Sequence, residues 1–156
     1  MSITHLHLLL NHFPIIGTLI GIGLLAFALV RKSDQLAKAS LGLFVALGII
    51  AVVVFLTGEP AEEAVEHLPG FSEAITERHE DLALYATIAI GVLGAGALGA
   101  LAAFRRRSLP RWVTMASFGF SIVVGGLMSY TGLVGGQIRH TELRASVTES
   151  VAEDSD

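Results

Sequence analysis

Six histidines, His5, His7, His12, His67, His79 and His140, are the residues whose chemistry calls for explanation. Three stand together in "HLHLLLNHFP" (5–14), at the head of an otherwise lipid-soluble run. Histidine and asparagine are costly in hydrocarbon, so their presence there points to function. Imidazole ligates haem iron, and with carboxylates it suits zinc, copper or non-haem iron. The chain has no cysteine. Disulfides, thiolate metal sites, iron–sulfur clusters and covalent CxxCH haem attachment are therefore excluded. No HExxH or ExxH spacing selects a known metal signature, and no Walker, Rossmann or Ser-His-Asp arrangement is present.

The elements that must position these side chains are membrane helices. Of 156 residues, 53% are hydrophobic and only 15% charged, against about 25% in a soluble domain. Mean hydropathy is +0.68. Four apolar runs meet the ~20 residues a spanning helix needs: Leu8–Val30, Ala39–Leu56, Leu82–Phe104 and Trp112–Val134. Their length without period-2 alternation predicts helices, not barrel strands. Short links, "RKSDQLAK" and "RRRSLPR", join first to second and third to fourth, which predicts two helical hairpins. The expected fold is all-α, a four-transmembrane-helix bundle over residues 1–142, followed by an acidic tail, 143–156. The tail is polar and without a core pattern. No basic region followed by a small-residue cleavage site opens the chain, so no cleavable signal peptide is expected.

Charge sets the orientation. Arg31, Lys32, Lys38, Arg105, Arg106, Arg107 and Arg111, seven of the ten basic residues, fall in the two links. The positive-inside rule makes that side cytoplasmic. Both termini and the loop 57–81 then face the periplasm of a bacterial inner membrane. Asp34 is the single inner carboxylate among 14. All six histidines fall on the outer side, a sidedness that incidental placement would not give. The basic links lack interleaved aromatics and read as topology determinants, so no nucleic-acid partner is expected. The bilayer is the first partner; self-association into a homo-oligomer is left open.

Pairing follows from depth and angle. On a continuous helix, His5 and His12 fall within ~20° of one face, whereas His7 and His12 diverge by ~140°. Pro14 disturbs that geometry, because it lacks an N–H and crowds the carbonyl of Leu10. The helix either begins there or runs through with a kink. His12 and His79 open the first and third runs at matched depth, as an inner bis-histidine haem pair would need. Bundle cores commonly hold such sites. His140 with His7 or His5 would form an outer pair ~8–10 Å further out. Glu80, Asp81 and Glu142 keep a histidine–carboxylate metal site open as the alternative, or Glu80 could orient an imidazole. His67 reads as an ordinary solvated residue. Gly17, Gly21, Gly23, Gly91, Gly94, Gly96, Gly99, Gly125 and Gly126 read first as helix-packing positions and second as clearance for a flat cofactor. The halves also echo one another, with Thr57-Gly58 and Thr131-Gly132 each closing a hairpin, as parallel repeats would.

The motifs resemble a bacterial family of four-span membrane proteins of unknown function. "HLLLNHFPI" (7–15) is similar to its HPxxVHFPI signature, "RHEDL" (78–82) to its HE motif, and "TGLVGGQIRHTE" (131–142) to its TG..GG....HG motif. Leu8, Asn11 and Thr141 depart from that pattern. The resemblance covers about residues 5–142 and singles out His7, His12, His79 and His140, with His5 as substitute for His7. Similar proteins occur fused to Rieske or c-type cytochrome domains, which implies a redox setting. The resemblance therefore implies two bis-histidine b-type haems, His12 with His79 and His7 with His140. Arg78 and Arg139, beside two of these ligands, are the expected propionate partners. Fully ligated haem leaves no substrate position, so the expected role is electron transfer with a periplasmic or membrane redox protein rather than catalysis. The rivals are a Cu, Zn or Fe site and a cofactor-free accessory subunit of a larger complex.

Overall fold

The computed structural model describes residues 2–64, 66–139 and 144. Six helices follow in order: α1 (Ile3–Leu10), α2 (His12–Arg31), α3 (Asp34–Leu56), α4 (Gly58–Glu63), α5 (Glu73–Ala103) and α6 (Arg111–Arg139). Four segments are long and apolar enough to cross a membrane: Ile3–Arg31, Asp34–Leu56, Glu73–Ala103 and Arg111–Ile138. The protein is thus a multi-pass, all-helical bundle made of two hairpins. The acidic tail from 145 onward and residues 140–143 lie outside the described residues.

The helices outrun the apolar stretches that announce them. α5 begins at Glu73, nine residues before the expected start at Leu82, and α6 runs on to Arg139. Polar turns outside the hydrocarbon keep the same hydrogen-bond ladder but lose the hydropathy signal. The expected loop 57–81 therefore contains α4 and the first turns of α5.

Entry into the bundle breaks at Asn11, not at Pro14. Pro14 is the third residue of α2, where a first-turn N–H has no intrahelical partner in any case. Across the junction Asn11 N–H still bonds the carbonyl of His7 at 2.8 Å. Asn11 keeps right-handed dihedrals (φ −59°, ψ −28°), so α1 continues the course of α2.

The tight turn into α3 is built from its sequence. Lys32 takes a left-handed conformation (φ 51°), and Ser33 N–H reaches back to Ala28 O at 3.0 Å, a Schellman closure. Ser33 then caps α3 by accepting from Leu36 N–H. Asp34 ties the two basic links together: it accepts from Leu109 N–H at 2.7 Å and pairs with Lys38 at 2.8 Å. Lys38 in turn donates to Arg107 O at 2.7 Å. The lone carboxylate at this end is a clamp between hairpin turns.

α2 packs on α3 and α6, and α5 packs on the same two helices. α2 and α5 are therefore diagonal, as are α3 and α6. Phe44, Leu25, Leu41, Ile90 and Val124 are fully buried at the centre. Between α3 and α5 the backbones nearly touch: a Cβ on Gly94 would lie 3.0 Å from Phe44 O, and one on Gly48 3.3 Å from Ile90 O. Gly21 makes room for the Phe44 ring and Gly17 for Leu47. Lipid tails are as apolar as leucine, so such close packing, rather than water exclusion, holds membrane helices together. The buried hydroxyls are satisfied: Thr18 donates to Pro14 O, and Ser40 bridges to Gly21 O across α3 and α2. Outward, Val30, Ile49, Leu133 and Trp112 are 65–78% exposed, as a lipid-facing surface requires.

Candidate functional site

His5, His7, His12, His67 and His79 gather at the end of the bundle opposite the basic links, where α3 ends and α5 begins. α1 continues α2 with little change of course, so the angular spacing of its histidines holds. His5 and His12 share a face, and that face points out of the bundle; both are exposed. His5 pairs locally with Ser2 Oγ at 2.6 Å. His7, on the other side of the helix, turns inward and is half-buried. His67 is solvated and meets Glu66 at 3.2 Å.

His7 and His79 are held in the same way. His7 Nδ1 lies 3.1 Å from Val54 O and 3.2 Å from the Thr57 hydroxyl. A carbonyl can only accept, so Nδ1 carries the proton and donates. The Thr57 hydroxyl gives its own proton to Val53 or Val54 O, and accepts from the ring. His79 Nδ1 likewise donates to Thr131 O at 3.1 Å. Thr131 spends its hydroxyl on Leu127 O at 2.9 Å. Among the described residues Nε2 of neither ring has a hydrogen-bond partner, and in the neutral ring with Nδ1 protonated that nitrogen carries the lone pair. Each histidine leans on the Thr-Gly end of its own hairpin partner, 50 residues on for His7 and 52 for His79. The echo between the halves is thus a repeated contact.

The two rings belong to diagonal helical rods at the same end of the bundle. Gly135 forms the notch that admits the second ring, since a Cβ there would come within 2.7 Å of His79 Cε1. One turn beyond His7 on the same side, Asn11 Oδ1 is buried and has no hydrogen-bond partner among the described residues. Such an orphaned atom costs about 1–3 kcal/mol unless something supplies its partner.

Around this pair the other expected residues are distributed differently. Arg78 donates to the Tyr130 hydroxyl and lies 5.8 Å from the centre of that ring, which holds it on the α6 side of the site. Arg139 is the last residue of α6. His140 and Glu142 lie outside the described residues. Glu80 is exposed and faces the Glu62 carboxyl of α4. The Glu80 carboxyl, helped by desolvation and by Glu66 and Glu59, pushes that of Glu62 up to about 7. The imidazole of His79 is thus oriented by a main-chain carbonyl, and Glu80 is turned to another carboxyl. Asp81 is exposed. Among the described residues no three His, Asp or Glu side chains converge as a metal-ion site.

Sequence reasoning did not reach the Nδ1 anchors, the Gly135 notch or the Glu62–Glu80 pair. The first two follow from helix register across a hairpin, which no local pattern encodes. No protein-family model matches the chain, and neither a curated protein nor a solved structure matches it.

Proposed function

We propose that this protein is a membrane-bound b-type cytochrome in which His7 and His79 would hold one haem, exchanging electrons with a redox partner at the histidine-bearing end. By the distribution of basic residues that end is the periplasmic face of a bacterial inner membrane. The observation that carries the reading is the matched pair of imidazoles on diagonal helices. Each has Nδ1–H tied to a backbone carbonyl and, among the described residues, no hydrogen-bond partner at Nε2, the arrangement that fixes tautomer and ring orientation in histidine ligands. When bound, haem supplies a one-electron iron couple, and two imidazoles leave no iron position for substrate.

The chain's own contribution is orientation. Val54 O, Thr57 and Thr131 O fix the rings, and the Gly135 notch sets the depth of His79. The pairing differs from the one expected from matched apolar boundaries, His12 with His79, because His12 faces outward. The second expected haem paired His7 with His140, which lies outside the described residues, and the proposal is confined to the pair His7–His79. A histidine–carboxylate metal site has less support, since no third ligand joins these two among the described residues.

The test is spectroscopic. Protein purified in mild detergent from haem-replete cells should show a Soret band and a dithionite-sharpened α-band. His7→Ala and His79→Ala should each abolish them, while His5→Ala and His67→Ala should not. A preparation with no Soret band would sink the haem reading, and accompanying metal analysis distinguishes a metal ion from a cofactor-free subunit.

A further inference from the structure

The opposite end of the bundle carries a second feature that the histidines do not explain. Between α5 and α6 runs an open groove of about 500 Å³. That volume falls within the range of ligand-sized clefts, roughly 300–1,000 Å³. It exists because α5 presents Gly96, Gly99 and Ala103 there, and a Cβ on either glycine would meet nothing within 4 Å. Phe104 and Trp112 close its basic end, and its lining is almost wholly apolar. Arg105 follows Phe104 and Arg111 precedes Trp112 in the chain, so exposed basic residues flank this end of the groove in sequence, although none lines it and Arg111 also borders the neighbouring cleft beside Lys32 and Asp34.

Those charges are not neutralised from within. Asp34 is the one carboxylate at this end, and it is taken by Lys38 and Leu109 N–H. Arg105, Arg106, Arg107 and Arg111 are all exposed, and among the described residues no carboxylate pairs with any of them. Guanidinium binds phosphate in a bidentate fork, which lysine does not do. An apolar groove in a helix pair with basic residues at its membrane-surface mouth has the chemistry of a phospholipid site.

From this we infer that the α5–α6 groove binds an anionic phospholipid, one acyl chain lying against Gly96 and Gly99 and the phosphate held by Arg105 and Arg111. The site is independent of the histidine pair.

Trp112 is the single tryptophan of the chain and lines the groove, so it reports on occupancy directly. The purified full-length protein is placed in phosphatidylcholine vesicles with increasing fractions of dibrominated phosphatidylglycerol or dibrominated phosphatidylcholine. Bromine quenches tryptophan only at short range. The relative affinity for the phosphatidylglycerol should exceed that for the phosphatidylcholine by about threefold or more. Gly99→Leu, whose Cβ meets nothing within 4 Å and whose side chain adds bulk to the groove wall, and the pair Arg105→Gln with Arg111→Gln should each bring the ratio to one. Gly23→Leu, at an open position on α2, should leave it unchanged. A ratio of one in the wild type overturns the proposal. So does a preference that survives Gly99→Leu, which would mark a basic surface with no groove occupant. Self-association that Gly99→Leu abolishes, with no lipid preference, would assign the groove to a second copy and equally overturn it.

Discussion

A ring nitrogen is usable as a ligand only if the other nitrogen has somewhere to put its proton, and His7 and His79 are the pair for which this is met by backbone. That makes Gly135 a sensitive position. Gly135→Ala would drive a methyl into the His79 ring and break its bond to Thr131 O. Loss of a ligand's orienting partner typically costs 10–100-fold in affinity, so haem binding to this variant should weaken by about that factor in a titration. His12→Ala should leave the absorption spectrum unchanged; loss of the Soret band in His12→Ala but not in His7→Ala would restore the pairing read from matched depth. The sequence did say which residues share a face. Spacing put His5 with His12 and set His7 apart, and the helix obeys. What spacing cannot say is which face points inward, because the apolar run is hydrophobic all round and lipid and core look alike to it. Only the neighbouring carbonyls of Val54 and Thr131 decide it, and they are distant in sequence.

Among the elements, the hairpins and their basic links were legible because run length and charge are strong signals in a bilayer. The outer turns of α5 and the whole of α4 were not, since water-exposed helix there carries ordinary polar residues. Two element-level predictions follow from how the short pieces are joined. At the α2–α3 turn, Lys32 holds a left-handed backbone that glycine adopts freely. Lys32→Gly should raise stability by about 1 kcal/mol in detergent unfolding, read against the wild type. At α4, Glu62 has its carboxyl raised from 4.5 to about 7. The folded state then holds a proton that the unfolded chain gives up at lower pH. Its contribution is present below about pH 4.5 and is lost as pH rises through 7, so stability from this group declines between those values. Protease accessibility of the α4 segment should increase across that window, and Glu62→Gln should flatten the increase. A wild-type profile flat from pH 4.5 to 8 would remove the carboxyl pair as its cause.

For the molecule as a whole, the seam between the halves is α3 against α5, where Gly48 and Gly94 let the backbones meet. Gly94→Ala should cost about 1–3 kcal/mol by overpacking, measured as a lower unfolding temperature in detergent, whereas Gly91→Ala, which meets nothing, should fall near the wild type. Sequence reading grouped all these glycines as one packing stripe; a Gly-rich pattern does not show which members touch and which open a groove.

His7 belongs to the first hairpin and His79 to the second. Any ligand that takes both nitrogens is therefore a fastener between two halves of the chain, and its binding energy is also energy of assembly. Occupancy and assembly of the two hairpins then become one linked equilibrium. Two hairpins made as separate polypeptides, divided between α4 and α5, would find each other more tightly as the ligand concentration rises.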